Sequence, residues 1–312
     1  MYTVFIDGKE GTTGLQIYER LGKRHDIRLL SLSDDLRKDI SARKECINGA
    51  DIVFLCLPDA AAIESVSLVE NDKVRIIDAS TAHRTAEGWV YGFPELSALQ
   101  RERIRLSNRV ANPGCHASGF ISLVYPLIEG GLVSPDYPFV CHSVTGYSGG
   151  GKKMIAEYEC ALRERPLDSP RQYSLGLKHK HLPEMQAVCG LRYKPIFNPI
   201  VSDYYSGMCV TVPLFTRFMS KKCNIQDVKD YFTEYYARCN FIKILGKEEL
   251  GSGFLSANDL SGTNYMEIYV DGNEEQILLA SRFDNLGKGA SGAAVQCMNI
   301  MLGLDETISL ID

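Results

Sequence analysis

Tyr2-Thr3-Val4-Phe5-Ile6-Asp7-Gly8-Lys9-Glu10-Gly11-Thr12-Thr13-Gly14 reads as a buried strand, a glycine loop and the start of a helix. The glycines are spaced GxxGxxG rather than GxGxxG. Glycine suits such a loop because the chain turns tightly there and lets a pyrophosphate approach the free N–H groups of the following helix. An ordinary strand-to-helix turn is the plainer reading of one such loop, so the flanking sequence decides. Strand-like runs recur at 27–32, 51–57, 74–79 and 106–111, and helix-like stretches occupy 12–24, 34–48 and 59–71. Short, fully apolar strands alternating with helices imply a parallel sheet covered on both faces.

Residues 1–115 are therefore predicted to form a doubly wound, Rossmann-type nucleotide domain of the α/β class. Gly8, Gly11, Thr12, Thr13 and Gly14 are its candidate phosphate cradle. The end of the second strand selects the nucleotide. An NAD site usually places an acid there to hold the ribose 2′-hydroxyl. Here Ser31 and Ser33 come first, then Asp34-Asp35, with Arg37 and Lys38 behind. Hydroxyls and cations suit a 2′-phosphate, so NADP is expected, with Asp34 and Asp35 turned away as helix caps.

Beyond residue 115 the single alternation stops. A helix-like stretch at 115–129 is followed by a strand at 138–145, a glycine loop and a helix at 152–163. Strand-like runs then stand at 195–203, 208–215 and 241–245, with a hairpin at 265–270/276–281 and an amphipathic helix at 224–238. Residues 116–284 are predicted to be an α+β domain with a mostly antiparallel sheet. The tail 285–312, helical over 289–302, is expected to complete the nucleotide domain.

The composition, 45% hydrophobic and 23% charged with a net charge of −5, is that of a globular protein without a basic nucleic-acid surface. No apolar run is long enough to span a bilayer. The strand-like Tyr2–Ile6 leaves no room for a signal peptide, so a cytoplasmic protein is expected. The ten cysteines are spread singly, with no metal-ligand spacing, which points to reduced thiols and no metal site.

One cysteine has informative neighbours. In Asn112-Pro113-Gly114-Cys115-His116, proline and glycine end a strand and Cys115 stands where a helix begins. A helix N-terminus lowers a thiol pKa and can hold an oxyanion, as attack on an acyl carbon requires. His179-Lys180-His181-Leu182-Pro183-Glu184 supplies two of the six histidines and a carboxylate able to orient an imidazole. His116 is a rival base, disfavoured because a bond to its chain neighbour is awkward.

Together these motifs resemble the N-acetyl-gamma-glutamyl-phosphate reductases, specifically the shorter bacterial type. The matching stretches are GKEGTTG at Gly8, IIDASTAHR at Ile76, YGFPEL at Tyr91, NPGCHASG at Asn112, TGYSGGGKK at Thr145, HKHLPE at His179 and DNLGKGASGAAVQ at Asp284. The resemblance implies NADPH-dependent reduction of N-acetyl-gamma-glutamyl phosphate to the semialdehyde, through a thioester, in arginine biosynthesis. It also implies a homodimer or homotetramer. Cys115 then matches the nucleophile, His179 and His181 the histidine pair, with His181 favoured as acid/base, and Glu184 the acid. Ser80 and Arg84 match residues that hold the substrate phosphate. Asn112, Gly146, Ser148 and Gly149 fall on substrate-lining stretches. Asn285, Gly287 and Gly289 match a loop that returns to the cofactor. His116 stands where the family often has an aromatic residue. Alternative readings are an acyl-phosphate reductase for aspartyl phosphate (an aspartate-semialdehyde dehydrogenase) and a non-catalytic NADP sensor.

Overall fold

The computed structural model describes residues 1–33, 35–250 and 253–311. It comprises two units, Met1–Pro113 with Ala290–Asp312, and Gly114–Gly289. In the first, strands β1 (Tyr2–Asp7), β2 (Ile27–Leu30), β3 (Ile52–Leu55), β4 (Arg75–Asp78), β5 (Val90–Tyr91) and β6 (Arg109–Ala111) form a parallel sheet. Its order is β2-β1-β3-β4-β6-β5. Helices α1 (Thr12–Leu21), α2 (Ile40–Asn48), α3 (Asp59–Ser67) and α4 (Ala98–Leu106) connect the strands. All four residues of β3 are buried, as a central strand covered on both faces requires.

Two expectations need correction here. The second helix starts at Ile40, not near Asp34, because Asp39 caps it: the Asp39 carboxylate accepts from Ala42 N at 2.8 Å. Asp35 is therefore no cap; it lies in a turn closed by the Ser33 carbonyl, which accepts from the Leu36 and Arg37 amides. The cap expected at Asp34 falls outside the described residues. The last strand expected in this unit, 106–111, begins only at Arg109, since Leu106 ends α4, whose N-cap is Ser97.

The C-terminal helix Gly292–Met301 is buried along its whole length and packs on α1, α4 and β4. Its polar groups are paired inside the unit: Gln296 Nε2 donates to Glu95 and Glu306 at 2.8 Å each, and Asn299 Oδ1 accepts from Arg24 at 2.6 Å. Paired in this way, the amides avoid the penalty of burying an unsatisfied polar group.

The second unit carries α5 (Cys115–Glu129), β7 (Val140–Gly146), α6 (Gly151–Glu159), β8 (Arg171–Gln172), α7 (Leu182–Val188), β9 (Ile196–Ser202), β10 (Met208–Phe215), α8 (Ile225–Tyr236), β11 (Ile242–Ile244), β12 (Met266–Gly272) and β13 (Gln276–Phe283). The sheet order is β11-β12-β13-β10-β7-β9-β8. Among the described residues, only the β11–β12 and β7–β9 pairings are parallel, so the sheet is mixed but mostly antiparallel. Helix α5 packs on β10 and β13, and α8 on β11 and β12. Strand β10 alternates buried residues with more accessible ones, ending in exposed Phe215, so one face carries the core and the other is open. Among the described residues, no helix is long and apolar enough to cross a membrane.

Candidate active site

In the second unit the chain turns into α5 through Gly114, whose extended backbone (φ −77°, ψ 143°) makes it the N-cap. Gly114 has no side chain to cap this end, and Cys115 is the first helical residue, beside the N–H groups of the first turn. Cys115 is partly accessible. Burial pushes Cys56 to about 12 and Cys209 to about 11, and raises Cys46, Cys141, Cys189 and Cys223 as well. A thiol raised by burial is less reactive, whereas a helix N-terminus is the setting of a nucleophile.

Glu184, almost fully buried on α7, reaches back to this turn, and its Oε2 accepts from Gly114 N at 3.1 Å. The carboxylate thus fixes the residue ahead of the nucleophile. Pro183 sits in the first turn of α7, where its missing N–H is no loss, and His181 is the N-cap. His181 is buried, His179 is partly exposed, and their rings meet edge-on at 4.7 Å. His179 Nδ1 accepts from His181 N at 3.2 Å, which sets the 179–181 turn. The His116 ring lies 5.6 Å from both of those rings and 5.2 Å from Phe197. The structure therefore gathers three imidazoles next to the start of α5, two of them, His116 and His179, against Phe197.

His116 differs from the other two. Its Nδ1 is 2.6 Å from Ser143 Oγ and its Nε2 is 2.8 Å from the Tyr173 hydroxyl. Burial, followed by the nearby charges of His179 and Lys180, pushes its pKa down to about 3, so the ring is neutral at physiological pH. Sequence reasoning passed over Ser143 and Tyr173. Tyr173 follows β8, and between it and His179 the chain takes a left-handed turn at Ser174 (φ 56°) and Leu177 (φ 53°). Non-glycine residues in that region store strain.

Gly289 adjoins the nucleophile: a Cβ placed there would lie 2.9 Å from Cys115 Cβ and 3.2 Å from the Asp284 carbonyl. The loop before it is tied down within the same unit. Asn285 Oδ1 accepts from Gly207 N at 2.8 Å, and its Nδ2 donates to Ser148 Oγ at 3.0 Å. Asp284 accepts from the Gly262 and Leu286 amides. Residues 146–148 hydrogen-bond to the 204–207 segment through three backbone bonds, Gly146 N to Gly207 O, Tyr147 N to Tyr204 O and Ser148 N to Tyr205 O. Asn285, Gly287 and Gly289 thus lie in the second unit, where Asn285 accepts from Gly207 through Oδ1 and donates through Nδ2 to Ser148 of the glycine loop.

The first unit holds a separate cluster. Arg84 Nε donates to the Asn112 carbonyl at 3.0 Å and Nη2 to Ala79 O at 3.4 Å, fixing its guanidinium by the ends of β4 and β6. Buried Asp78 accepts from Ser80 N, Ser80 Oγ and His83 Nδ1 at 2.6–2.8 Å, and His83 stacks on Trp89. The Ser80 hydroxyl therefore directs its hydrogen at Asp78 and anchors the loop that presents Arg84. Asn112 Nδ2 donates to Ala290 O at 3.0 Å.

At the C-terminal ends of β1, β2 and β3, a cavity of about 270 Å³ is lined by Asp7, Gly8, Lys9, Glu10, Tyr18, Ser31, Leu32, Arg37 and Lys38, with apolar walls from Phe5, Ile6, Leu30 and Leu57. Helix α1 has no side-chain cap at Gly11, leaving its N–H groups for an anion. Asp7 would repel a phosphate, but it is neutralised: its carboxylate accepts from Arg43 at 3.1–3.2 Å and from Ser65 Oγ at 2.8 Å. Ser31 and Arg37 line this cavity; Ser33 does not, and its carbonyl serves the 33–37 turn. A glycine loop, an uncapped helix and three lining cations, Lys9, Arg37 and Lys38, fit a dinucleotide.

Comparison with known proteins matches both units. Residues 4–106 fit the family described as semialdehyde dehydrogenase, NAD binding domain, and residues 115–285 that described as semialdehyde dehydrogenase, dimerisation domain. A nicotinamide cofactor follows from the first match. The chain is 44% identical to N-acetyl-gamma-glutamyl-phosphate reductase 2 of Nostoc sp., over 98% of each chain, and 45% identical to the Pseudomonas putida protein of that name, over 96% of each. Among solved structures, aspartate semialdehyde dehydrogenase II of Vibrio cholerae superposes with a TM-score of 0.71 at 15% identity, covering 97% of this chain and 98% of that one. The Francisella tularensis aspartate semialdehyde dehydrogenase gives 0.72 at 15% identity, over 97% and 100%. At that identity the structural likeness speaks for the fold alone.

Proposed function

Because the chain belongs to the N-acetyl-gamma-glutamyl-phosphate reductase family, we propose that it reduces N-acetyl-gamma-glutamyl phosphate to N-acetyl-glutamate 5-semialdehyde and inorganic phosphate, in arginine biosynthesis, with NADPH as reductant. The observation that carries the mechanism is Cys115 at the uncapped start of α5, with Glu184 holding the residue before it. The Cys115 thiolate attacks the acyl carbon, the carbon–sulfur bond forms, and phosphate leaves with the carbon–oxygen bonding pair. Arg84, fixed by two backbone carbonyls, supplies a cation for the substrate phosphate. NADPH supplies the hydride that reduces the thioester carbon. His181 then gives a proton as the thiohemiacetal is formed, and takes it back as sulfur departs and the aldehyde is released.

Within the cofactor cavity, Arg37 and Lys38 beside Ser31 favour a 2′-phosphate over a free hydroxyl. Arg37→Ala is expected to raise KM for NADPH about tenfold, the effect of losing one charge-assisted phosphate contact, and to leave KM for NADH unchanged. Equal loss with both cofactors overturns the assignment.

The open sheet face bearing Phe215 and Leu278 supports assembly as a homodimer or homotetramer, in keeping with the dimerisation-domain match. Phosphate-dependent NADP reduction tests the substrate directly. Turnover with N-acetyl-glutamate semialdehyde and little with aspartate semialdehyde supports the reading. The reverse preference assigns the chain to aspartyl phosphate, and cofactor binding without either turnover leaves a sensor.

A further inference from the structure

We propose that Ser80 is a positioning residue rather than a phosphate ligand: with Asp78 and His83 it forms a bracket that sets Arg84 for the substrate phosphate. This rests on the reading of Arg84 as the cation that meets the phosphate, and departs from the family resemblance, which puts Ser80 on the phosphate itself.

A phosphate dianion offers only lone pairs, so a serine can hold it only by donating a hydrogen. Ser80 has two donors, and both turn inward. Its N–H donates to Asp78 Oδ1 at 2.8 Å and its hydroxyl to Asp78 Oδ2 at 2.7 Å. The hydroxyl has one hydrogen to give, and its oxygen already accepts from Ala82 N at 3.1 Å. Ser80 is buried, and Asp78 beneath it wholly so. Turning the hydroxyl outward would take a hydrogen bond from a buried carboxylate, which is costly.

The same carboxylate holds His83. Its Nδ1 stands 2.6 Å from Asp78 Oδ2, and because that oxygen accepts, Nδ1 carries the hydrogen. The imidazole is stacked on Trp89, with ring centroids 4.1 Å apart and planes at 14°. Between these anchors, Thr81 donates through its N–H to Asp59 Oδ1 at 2.8 Å and through its hydroxyl to Asp59 Oδ2. Each residue from 80 to 83 is thus tied by a side-chain bond, all within the first unit.

Arg84 comes next in the chain. Its Nε and Nη2 reach the Asn112 and Ala79 carbonyls, and those bonds aim the guanidinium only while the backbone at Arg84 stays where His83 leaves it. Ser80 and His83 therefore act on the phosphate through Arg84.

The test is the KM for inorganic phosphate in phosphate-dependent NADP reduction by the full-length enzyme with N-acetyl-glutamate semialdehyde, read beside the KM for NADP. His83→Phe keeps a ring on Trp89 and removes the bond to Asp78. It is expected to raise the phosphate KM about tenfold, as is Ser80→Ala, with the KM for NADP unchanged. His83→Asn, whose amide N–H can replace Nδ1–H, should stay within about twofold of the parent. Arg84→Ala should raise the phosphate KM at least about tenfold, and adding Ser80→Ala or His83→Phe to it should change nothing more, because both work through the same guanidinium. Losses that multiply in the Arg84→Ala/Ser80→Ala pair put Ser80 on the phosphate and overturn the bracket. A parent phosphate KM in His83→Phe, or a matching rise in the KM for NADP, overturns it too. Arg84→Ala keeps the two readings apart: a parent phosphate KM there discards Arg84 as the phosphate's cation and the bracket with it, whereas a raised one beside unaffected His83→Phe and Ser80→Ala discards only the bracket.

Discussion

Cys115→Ala is expected to lower kcat by at least about 10⁴-fold, the scale seen when a covalent nucleophile is removed. Cys56, Cys141, Cys189 and Cys209 are held protonated by burial, and water attack on the acyl phosphate yields a carboxylate, not an aldehyde. The fold should be nearly untouched. Alanine is a good first-turn residue, and the bonds that set the start of α5, Gly114 N to Glu184 and Ser118 N to Gly114 O, are both independent of the sulfur. Cofactor affinity, measured by fluorescence titration, should therefore match the parent. Retention of kcat within tenfold would remove Cys115 from the mechanism.

Gly8→Ala is expected to destabilise the protein by about 3 kcal/mol and weaken NADP binding at least tenfold. Gly8 has φ +86°, a region that costs other residues about 1–2 kcal/mol. A Cβ there would also stand 2.4 Å from the Cys56 carbonyl oxygen and 2.9 Å from Leu57 Cδ2. Backbone cannot move aside as a flexible side chain can, and overpacking adds about 1–3 kcal/mol. Gly11→Ala is the control. Its Cβ would meet only Gly8 O at 3.5 Å and Cys56 O at 3.7 Å, ordinary contacts, so stability should hold. Denaturant midpoints with cofactor titrations measure both. If Gly8→Ala is as stable as Gly11→Ala, the strained-turn argument fails.

Where local pattern and tertiary demand coincide, the elements were legible in the sequence. The helix from Cys115 to Glu129 and the strand from Met208 to Phe215 occupy the residues expected of them, because Pro113-Gly114 starts the one and a short apolar run with two valines and a threonine marks the other. Strands Val90–Tyr91 and Arg171–Gln172 are two residues long and exist only through their sheet neighbours. Helix Ala98–Leu106 carries four charges among nine residues and little apolar signal; its Ser97 cap, accepting from Gln100 N at 3.0 Å, was the available clue. The helix that begins within HKHLPE, Leu182–Val188, has only seven residues, too few to show a helical period in the sequence.

The site follows the same division. Cys115 and the histidine pair announce themselves through chemistry-bearing neighbours. Ser143 and Tyr173 do not, since strand pairing and a left-handed turn bring them to His116 from elsewhere in the chain. One hint existed: Cys141, Ser143 and Thr145 alternate along β7, all buried, and a serine on a core-facing register asks for a partner.

The discontinuity of the first unit bears on how the chain is made. Its sheet is complete once Ala111 has been synthesised, yet the apolar surface of α1, α4 and β4 that Gly292–Met301 covers must wait until that helix has been made. The inserted unit, continuous from Gly114 to Gly289, can close its own core before that. A nascent chain short of Ala290 therefore carries a half-finished nucleotide unit with a bare hydrophobic flank.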